Sequence, residues 1–467
     1  MMKSRGQLLT KAASVADILL IGGGLVSIVV FLYSFYHYAW PGERHSGNSL
    51  DAVLHYLVPF TTAASFVVCL RLRSGYKIII TTLVLALTAS AFGFESYIQT
   101  KNRRPSKQMM KQMITKVAKQ RGIDFDTRDD LELIADLRSR GIEAFPQIIL
   151  PTFVTIRGAE VMTIGGIAGK TIVVCNQNGQ YLKYTSDEHG FHNPAGIWQS
   201  GRIDIAAVGN SFTMGYCVPS EKNFVSLIRK RYPATLNLGM AGEGPLHILA
   251  AISEYLPSLK PKTVLWFYFE GNNFEELEGE KQSSLLLRYL EDDFSQRLLQ
   301  QQSEINQALA THMEADLKKR RIQRMKQSSS PTMPSPPMLD RMVQIVKLPA
   351  IRWKLGLTET DSPATMDLFR EILLKAKERV DSWGGKLWFI YLPNGVPDRR
   401  KRAAVLSYVK SLELPIIDIS PAFEAKNEPL SLFALAGFGH YNDEGHRLVA
   451  EEVLKAMPRL IETSVAE

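Results

Sequence analysis

The chain has 467 residues, too many for one ordinary core, and its formal charge of +8 is spread through mixed acidic and basic sequence. Three cysteines exclude a disulfide framework and any paired-cysteine metal site. The densest basic cluster, Lys318, Lys319, Arg320, Arg321, Arg324 and Lys326, has no nucleic-acid recognition motif beside it. It reads as a solvated helix face, with acidic lipid or anionic polysaccharide a better match than nucleic acid.

Residues 1–97 read as a membrane region with three transmembrane helices. Ile18 to Tyr36 carries no charge and is long enough to cross a hydrocarbon layer of roughly 30 Å. Ala52 to Leu70, closed by Arg71, and Ile78 to Phe94, ended by Glu95, are the further spans. A cleaved signal peptide fits the first run poorly, because no small-residue cleavage site comes after it. Lys3, Arg5 and Lys11 before the first span, and Arg71, Arg73 and Lys77 between the second and third, place those segments in the cytoplasm and the rest outside. Lys101, Arg103, Arg104 and Lys107 run against that orientation, but the first helix usually dominates.

Residues 98–145 are charged and helix-favouring, and read as a helical stalk. From 146 to 200 the pattern turns to short β-rich runs, Ile148 to Ile156 and Thr171 to Cys175, with glycines between, so a small β-rich element is expected to pack on the domain C-terminal to it. Cys175 here and Cys217 further on can form one bridge if this part is extracytoplasmic; two buried thiols are an equal alternative. The polar loop Asp187 to Pro194 closes the segment.

Apolar runs at Ile203 to Val208, Thr235 to Leu238, Thr263 to Phe269, Lys386 to Leu392 and Leu414 to Ile419 alternate with helical periodicity over residues 201–460. Continuous apolar strands of this kind predict an α/β fold, a three-layer α/β/α parallel sheet. The helix before the fourth strand has Ser362 and Pro363 at its start, Phe369, Ile372, Leu373, Ala376, Val380 and Trp383 at helical spacing, and Gly384 at its end. An insertion over about 278–360, broken by a Ser/Pro-rich stretch, is expected to be helical and partly disordered.

Chemistry concentrates at the strand ends. The first strand runs into Gly209-Asn210-Ser211, placing a serine on the sheet edge where ligands bind in open α/β folds. A nucleophilic serine needs a base to take its proton and donors for the oxyanion. Asn237 to Pro245 after the second strand supplies glycines that let a backbone N–H approach a substrate oxygen, and Glu270-Gly271-Asn272-Asn273 after the third supplies a side-chain amide. His440, before the C-terminal amphipathic helix, supplies the base. Each motif is weak singly; their shared order and placement carry the weight.

That order resembles the SGNH, or GDSL-like, hydrolase family over Asp204 to Met457 less the insertion. The resemblance implies Ser211 as nucleophile, His440 as base, and Gly242, Asn272 and the Ser211 backbone N–H as oxyanion donors. The membrane helices and preceding β element resemble, less specifically, membrane-attached members linked to bacterial surface polysaccharides, which implies a catalytic domain outside a bacterial inner membrane. Asn210 and Asn273 stand where the family has Asp, and Phe438 and Gly437 occupy positions that hold the Asp orienting the histidine. Without that carboxylate, slower chemistry or a substitute acceptor is expected. Asp187, His189 and His192 can line the site from the preceding loop, although a solvated turn is the commoner role for such residues.

The reading is therefore a membrane-anchored serine esterase acting on ester-linked acyl groups, O-acetyl above all, of a cell-surface glycan. The alternatives are an O-acyltransferase on the same substrates and an inactive SGNH glycan-binding or scaffold protein. Partners would be acylated carbohydrate, membrane lipid and polysaccharide-assembly proteins, with no nucleic acid, and neither metal nor organic cofactor is implied.

Overall fold

The structure, a computed structural model, describes residues 2–39, 57–101, 107–120, 122–177, 179–329, 363–395, 398–434 and 439–463. It divides into two compact units near residue 104.

The first unit holds helices Met2–Ala39, Val58–Cys69 and Ser74–Lys101. Two helical stretches, Thr10–Val29 and Ser74–Thr100, are long and apolar enough to cross a membrane. The expected second span is described only as Val58–Cys69, whose 12 residues rise about 18 Å at the usual helical pitch, and its first part lies outside the described residues. Lys77 Nζ pairs with Asp17 Oδ1 at 2.7 Å, so the beginnings of the two long apolar stretches lie side by side.

In the second unit the latter half of the expected stalk is a packed helix. Asp130–Ser139 starts with a reciprocal capping box between Asp129 and Glu132, and it buries Leu131, Leu133, Ile134 and Leu137 against Ala144, Val173 and Leu317. Leu317 belongs to Gln302–Ser329, the described helix of the expected insertion, whose Arg320 and Arg324 pair with Asp130, Asp129 and Glu132. Part of the basic cluster thus pairs within the chain, at the partly exposed seam between these two helices. Residues 330–362, with all but the first two residues of the Ser/Pro-rich stretch and with Ser362, lie outside the described residues.

The β-rich element comprises β1 (Ala144–Pro146), β2 (Thr152–Ile156), β3 (Ala159–Thr163), β4 (Thr171–Val173) and β5 (Lys183–Thr185). β2 and β3 form an antiparallel hairpin whose two-residue turn, Arg157-Gly158, takes the positive φ angles that twisted hairpins prefer. β1, β4 and β5 make a separate sheet in the order β1-β4-β5. The expected run from Ile148 is strand only from Thr152, since Pro151 has no N–H to offer a ladder, and Leu150 donates instead to Ala241 O at 2.9 Å.

The main sheet is parallel, in the order β10-β9-β8-β6-β7, from β6 (Ile205–Gly209), β7 (Thr235–Asn237), β8 (Thr263–Phe269), β9 (Lys386–Leu392) and β10 (Ile416–Asp418). The middle three match the sequence reading to within a residue; the first and last are shorter and shifted by up to two. Both faces are covered, making three layers. On one face Ala206, Val208, Trp266, Tyr268 and Phe389 pack with residues of helices Pro245–Tyr255 and Pro363–Ser382. On the other, Ile205, Ala207, Phe267 and Ile390 pack with residues of Phe224–Arg231 and Asp443–Thr463. The chain leaves β6 to one side for β7 and then crosses to the other for β8, so the strand order reverses at β6, where crevices form outside the strand ends.

Candidate active site

The carboxyl end of β6 turns sharply into the short helix Ser211–Met214. Gly209 is required there: a Cβ would lie 2.2 Å from Thr213 Oγ1 and 2.8 Å from Phe267 O. Asn210 caps the helix, its Oδ1 accepting the Phe212 N–H at 3.1 Å, which presents Ser211 as the first helical residue with its own N–H outside the helical ladder. The loop after β7 is laced to this turn, because Met240 donates to Gly209 O at 3.2 Å and Asn237 Nδ2 donates to Thr213 O at 2.9 Å.

His440 Nε2 lies 2.8 Å from Ser211 Oγ, joining residues 229 positions apart. The half-buried ring is bounded by Phe212 and Tyr216, with centroids 4.8 and 4.6 Å away. Desolvation lowers the imidazole to about 4, so the ring is neutral at neutral pH, able to accept the serine proton and reluctant to keep it. Its Nδ1 is buried with no hydrogen-bond partner among the described residues. Gly437 and Phe438 lie outside the described residues, and among those described no carboxylate takes the orienting position. Asp443 instead pairs with Lys222, and Glu444 pairs with Arg447 and Lys426.

The proposed oxyanion donors divide into two kinds. The Gly242 N–H has no hydrogen-bond partner among the described residues, and Gly242 adopts φ +86° with Leu150 O only 2.5 Å from where a Cβ would stand. Asn272 is differently employed: its Nδ2 donates to Glu276 Oε1 at 2.6 Å and its Oδ1 accepts from Asn210 Nδ2 at 3.1 Å. An amide nitrogen has two hydrogens, so the bond to Glu276 uses only one of them.

The other candidates serve the scaffold. Asp187 is buried, one oxygen accepting from the His189 and Phe191 N–H groups and the other from Asn193 Nδ2 and Trp198 Nε1. Those donors answer the expectation that Asp187 lines the site: its acceptor positions are filled by its own loop and by Trp198 just after it, although burial still raises its carboxyl. His189 bonds Gln302 and meets the Trp198 ring edge-on, while His192 bonds Met214 O and Ser220 and stacks on Tyr184. Asn273 is buried and accepts the Phe269 N–H at 2.6 Å, fastening the end of β8.

Three contributors had no prominent signal. Gln177 Oε1 accepts the His440 N–H at a long 3.4 Å, and Tyr216 packs on the ring. Near them Cys175 and Cys217 are joined as a disulfide, Cα atoms 5.4 Å apart, so the β-rich element is bonded covalently to the segment after Ser211. Glu276 is the third; its four-residue spacing from Asn272 was its only trace in the sequence. Among the described residues no cluster of His, Cys, Asp or Glu has the form of a metal site.

No family model matches the sequence. No curated protein does either. Solved structures similar to the chain include a protein of Desulfitobacterium hafniense described as lipolytic and of the G-D-S-L family, at 14% identity and TM-score 0.31, covering 53% of this chain and 96% of that one. A lipase/acylhydrolase from Enterococcus faecalis is similar at 14% identity and TM-score 0.31, covering 55% and 95%. An acetyl xylan esterase is similar at 13% identity and TM-score 0.30, covering 54% and 99%.

Proposed function

We propose that the protein is a membrane-anchored serine esterase that removes short acyl groups, acetyl above all, from a cell-surface glycan. The observation that carries this reading is the 2.8 Å bond between His440 Nε2 and Ser211 Oγ at the strand end where the sheet order reverses. In the reaction Ser211 Oγ attacks the ester carbonyl as its proton passes to His440 Nε2. The Ser211 and Gly242 N–H groups and the Asn272 amide receive the negative charge that builds on the carbonyl oxygen. Collapse expels the alkoxide, which takes the proton from His440, and leaves an acyl-serine. Water, deprotonated by His440, then releases the carboxylic acid and restores the serine.

Anchoring is supported by the two long apolar helices and by the Asp17–Lys77 pair. With the starts of those two helices together, the chain between them must return across the layer, which fits three spans with the basic segments inside and the sheet domain outside. The disulfide fits an oxidising compartment. Glycan as substrate, and polysaccharide-assembly proteins as partners, rest on the sequence resemblance.

The test is labelling of the purified chain by a fluorophosphonate, with Ser211→Ala as control, and then acetate release from acetylated glycan. Acetyl incorporation into added sugar that exceeds release would recast the enzyme as a transferase using the same residues. One observation favours a different class: the unpartnered Nδ1 of His440 suits a retired site that only binds glycan. Wild type as inert to the phosphonate as Ser211→Ala would establish that reading.

A further inference from the structure

The side chain of Asn272 stands in an unusual position. It is the N-cap of helix Asn273–Glu280, where asparagine ordinarily accepts a backbone N–H, yet it makes no capping bond. Its amide is spent elsewhere, and the orientation of that amide can be traced back to a fixed donor.

The Phe212 N–H is a backbone group and can only donate, so the Asn210 atom it reaches is the oxygen, and Asn210 Nδ2 faces Asn272. Facing a donor, Asn272 presents Oδ1, at 3.1 Å, and its nitrogen is turned toward Glu276 Oε1 at 2.6 Å. Glu276 Oε2 also accepts from Asn273 Nδ2, at 3.3 Å. Three side chains from two strand ends thus form one directed chain of hydrogen bonds that ends on a carboxyl group. Glu276 also lies against the glycine loop, where a Cβ on Gly244 would come within 2.8 Å of its Cβ.

We propose that Glu276 is a positioning residue for catalysis: it terminates this chain, locks the Asn272 amide with its nitrogen toward the substrate oxygen, and does so as a neutral acid. The proposal rests on the esterase reading above. Neutrality matters because an ionised carboxylate one amide away from the developing oxyanion would oppose its charge. The surroundings favour the neutral form. Glu276 is faced by Glu280 and Glu275 on its own helix and by Glu243 on the glycine loop, with the amides of Asn210, Asn272 and Asn273 as its polar neighbours; burial, then Glu280, raise it to about 9.

The experiment measures turnover of p-nitrophenyl acetate by the full-length chain in detergent, comparing wild type with Glu276→Ala, Glu276→Gln, Asn272→Ala and the double variant Asn272→Ala/Glu276→Ala. Glu276→Ala is expected to lower kcat about tenfold with KM little changed, because the lost interaction acts on the transition state. Glu276→Gln, neutral and still able to accept from Asn272, should stay within about threefold of wild type. The double variant should be no worse than Asn272→Ala, as expected if Glu276 acts through that amide. Wild type should lose kcat as pH rises through about 9, and Glu276→Gln should not. Should Glu276→Ala fail to fold, the pH comparison decides alone: identical alkaline profiles overturn the proposal. Full activity in a folded Glu276→Ala, or additive losses in the double variant, also overturn it. A wild type that neither turns over ester nor takes the phosphonate removes the esterase reading itself, which is a distinguishable result.

Discussion

Ser211 and His440, joined by one hydrogen bond, are held in very different ways. Around Ser211 the backbone is over-determined: β6 lies inside the sheet, Gly209 has no room for a side chain, and Asn210, Asn237 and Met240 bind the turn from three directions. Around His440 the backbone is tied, by the Ala434 N–H to His440 O at 3.0 Å, but the ring is located by two aromatic faces and the serine, with Nδ1 unpartnered among the described residues. One side is fixed by directional bonds and the other by shape. Shape can hold a ring in place, yet it gives little to an imidazolium, so in the proposed reaction the histidine side is where rate is limited.

This contrast can be broken most severely at the pair itself. Ser211→Ala and His440→Ala should each lower kcat by about a thousandfold or more, measured on an activated ester. Losses at His440 below about tenfold would mean that the ring does not serve as base.

Next in size is the covalent tie. Cys217→Ser, or mild reduction of the folded protein, should cost about tenfold in kcat, because Tyr216 and Gln177 lie beside the two bridged cysteines and both touch His440. Gln177→Ala alone, removing a 3.4 Å bond, should cost only about two- to fivefold. Unchanged phosphonate labelling after reduction would show that the ring is held without the β-rich element.

The pH profile sharpens the same point. In the proposed reaction the base is the neutral ring, so kcat/KM should fall as pH drops through about 4, not near the ordinary 6.5 of histidine. An acid limb near 6.5 would show that the imidazolium has a stabilising partner after all. On the scaffold side Asp187→Ala should lower unfolding free energy by about 3 kcal/mol, read from denaturant titration, since it leaves several buried donors unpaired.

Much of the sheet domain was legible because buried parallel strands advertise themselves as unbroken apolar runs, and because three weak motifs fell at successive strand ends with a fourth just before the terminal helix. The residues that tune the site were harder to read. Gln177 meets His440 across 263 positions, a separation at which no local pattern survives. Asn272 reads as an ordinary helix cap, and only the missing capping bond reveals its other use. Asp187 and His189 have the residue types of a catalytic site, but the tight turn spends Asp187 Oδ1 on its own N–H groups, and the His189 ring is taken by Gln302, 113 positions away.

The link between Cys175 and Cys217 has a temporal consequence. Freshly made chain in a reducing cytoplasm would carry the serine turn and the histidine loop without the brace between their surroundings. On the proposed placement of the sheet domain outside the membrane, the full rate would be reached only after translocation and oxidation, the loss of about tenfold expected without the bond marking the difference.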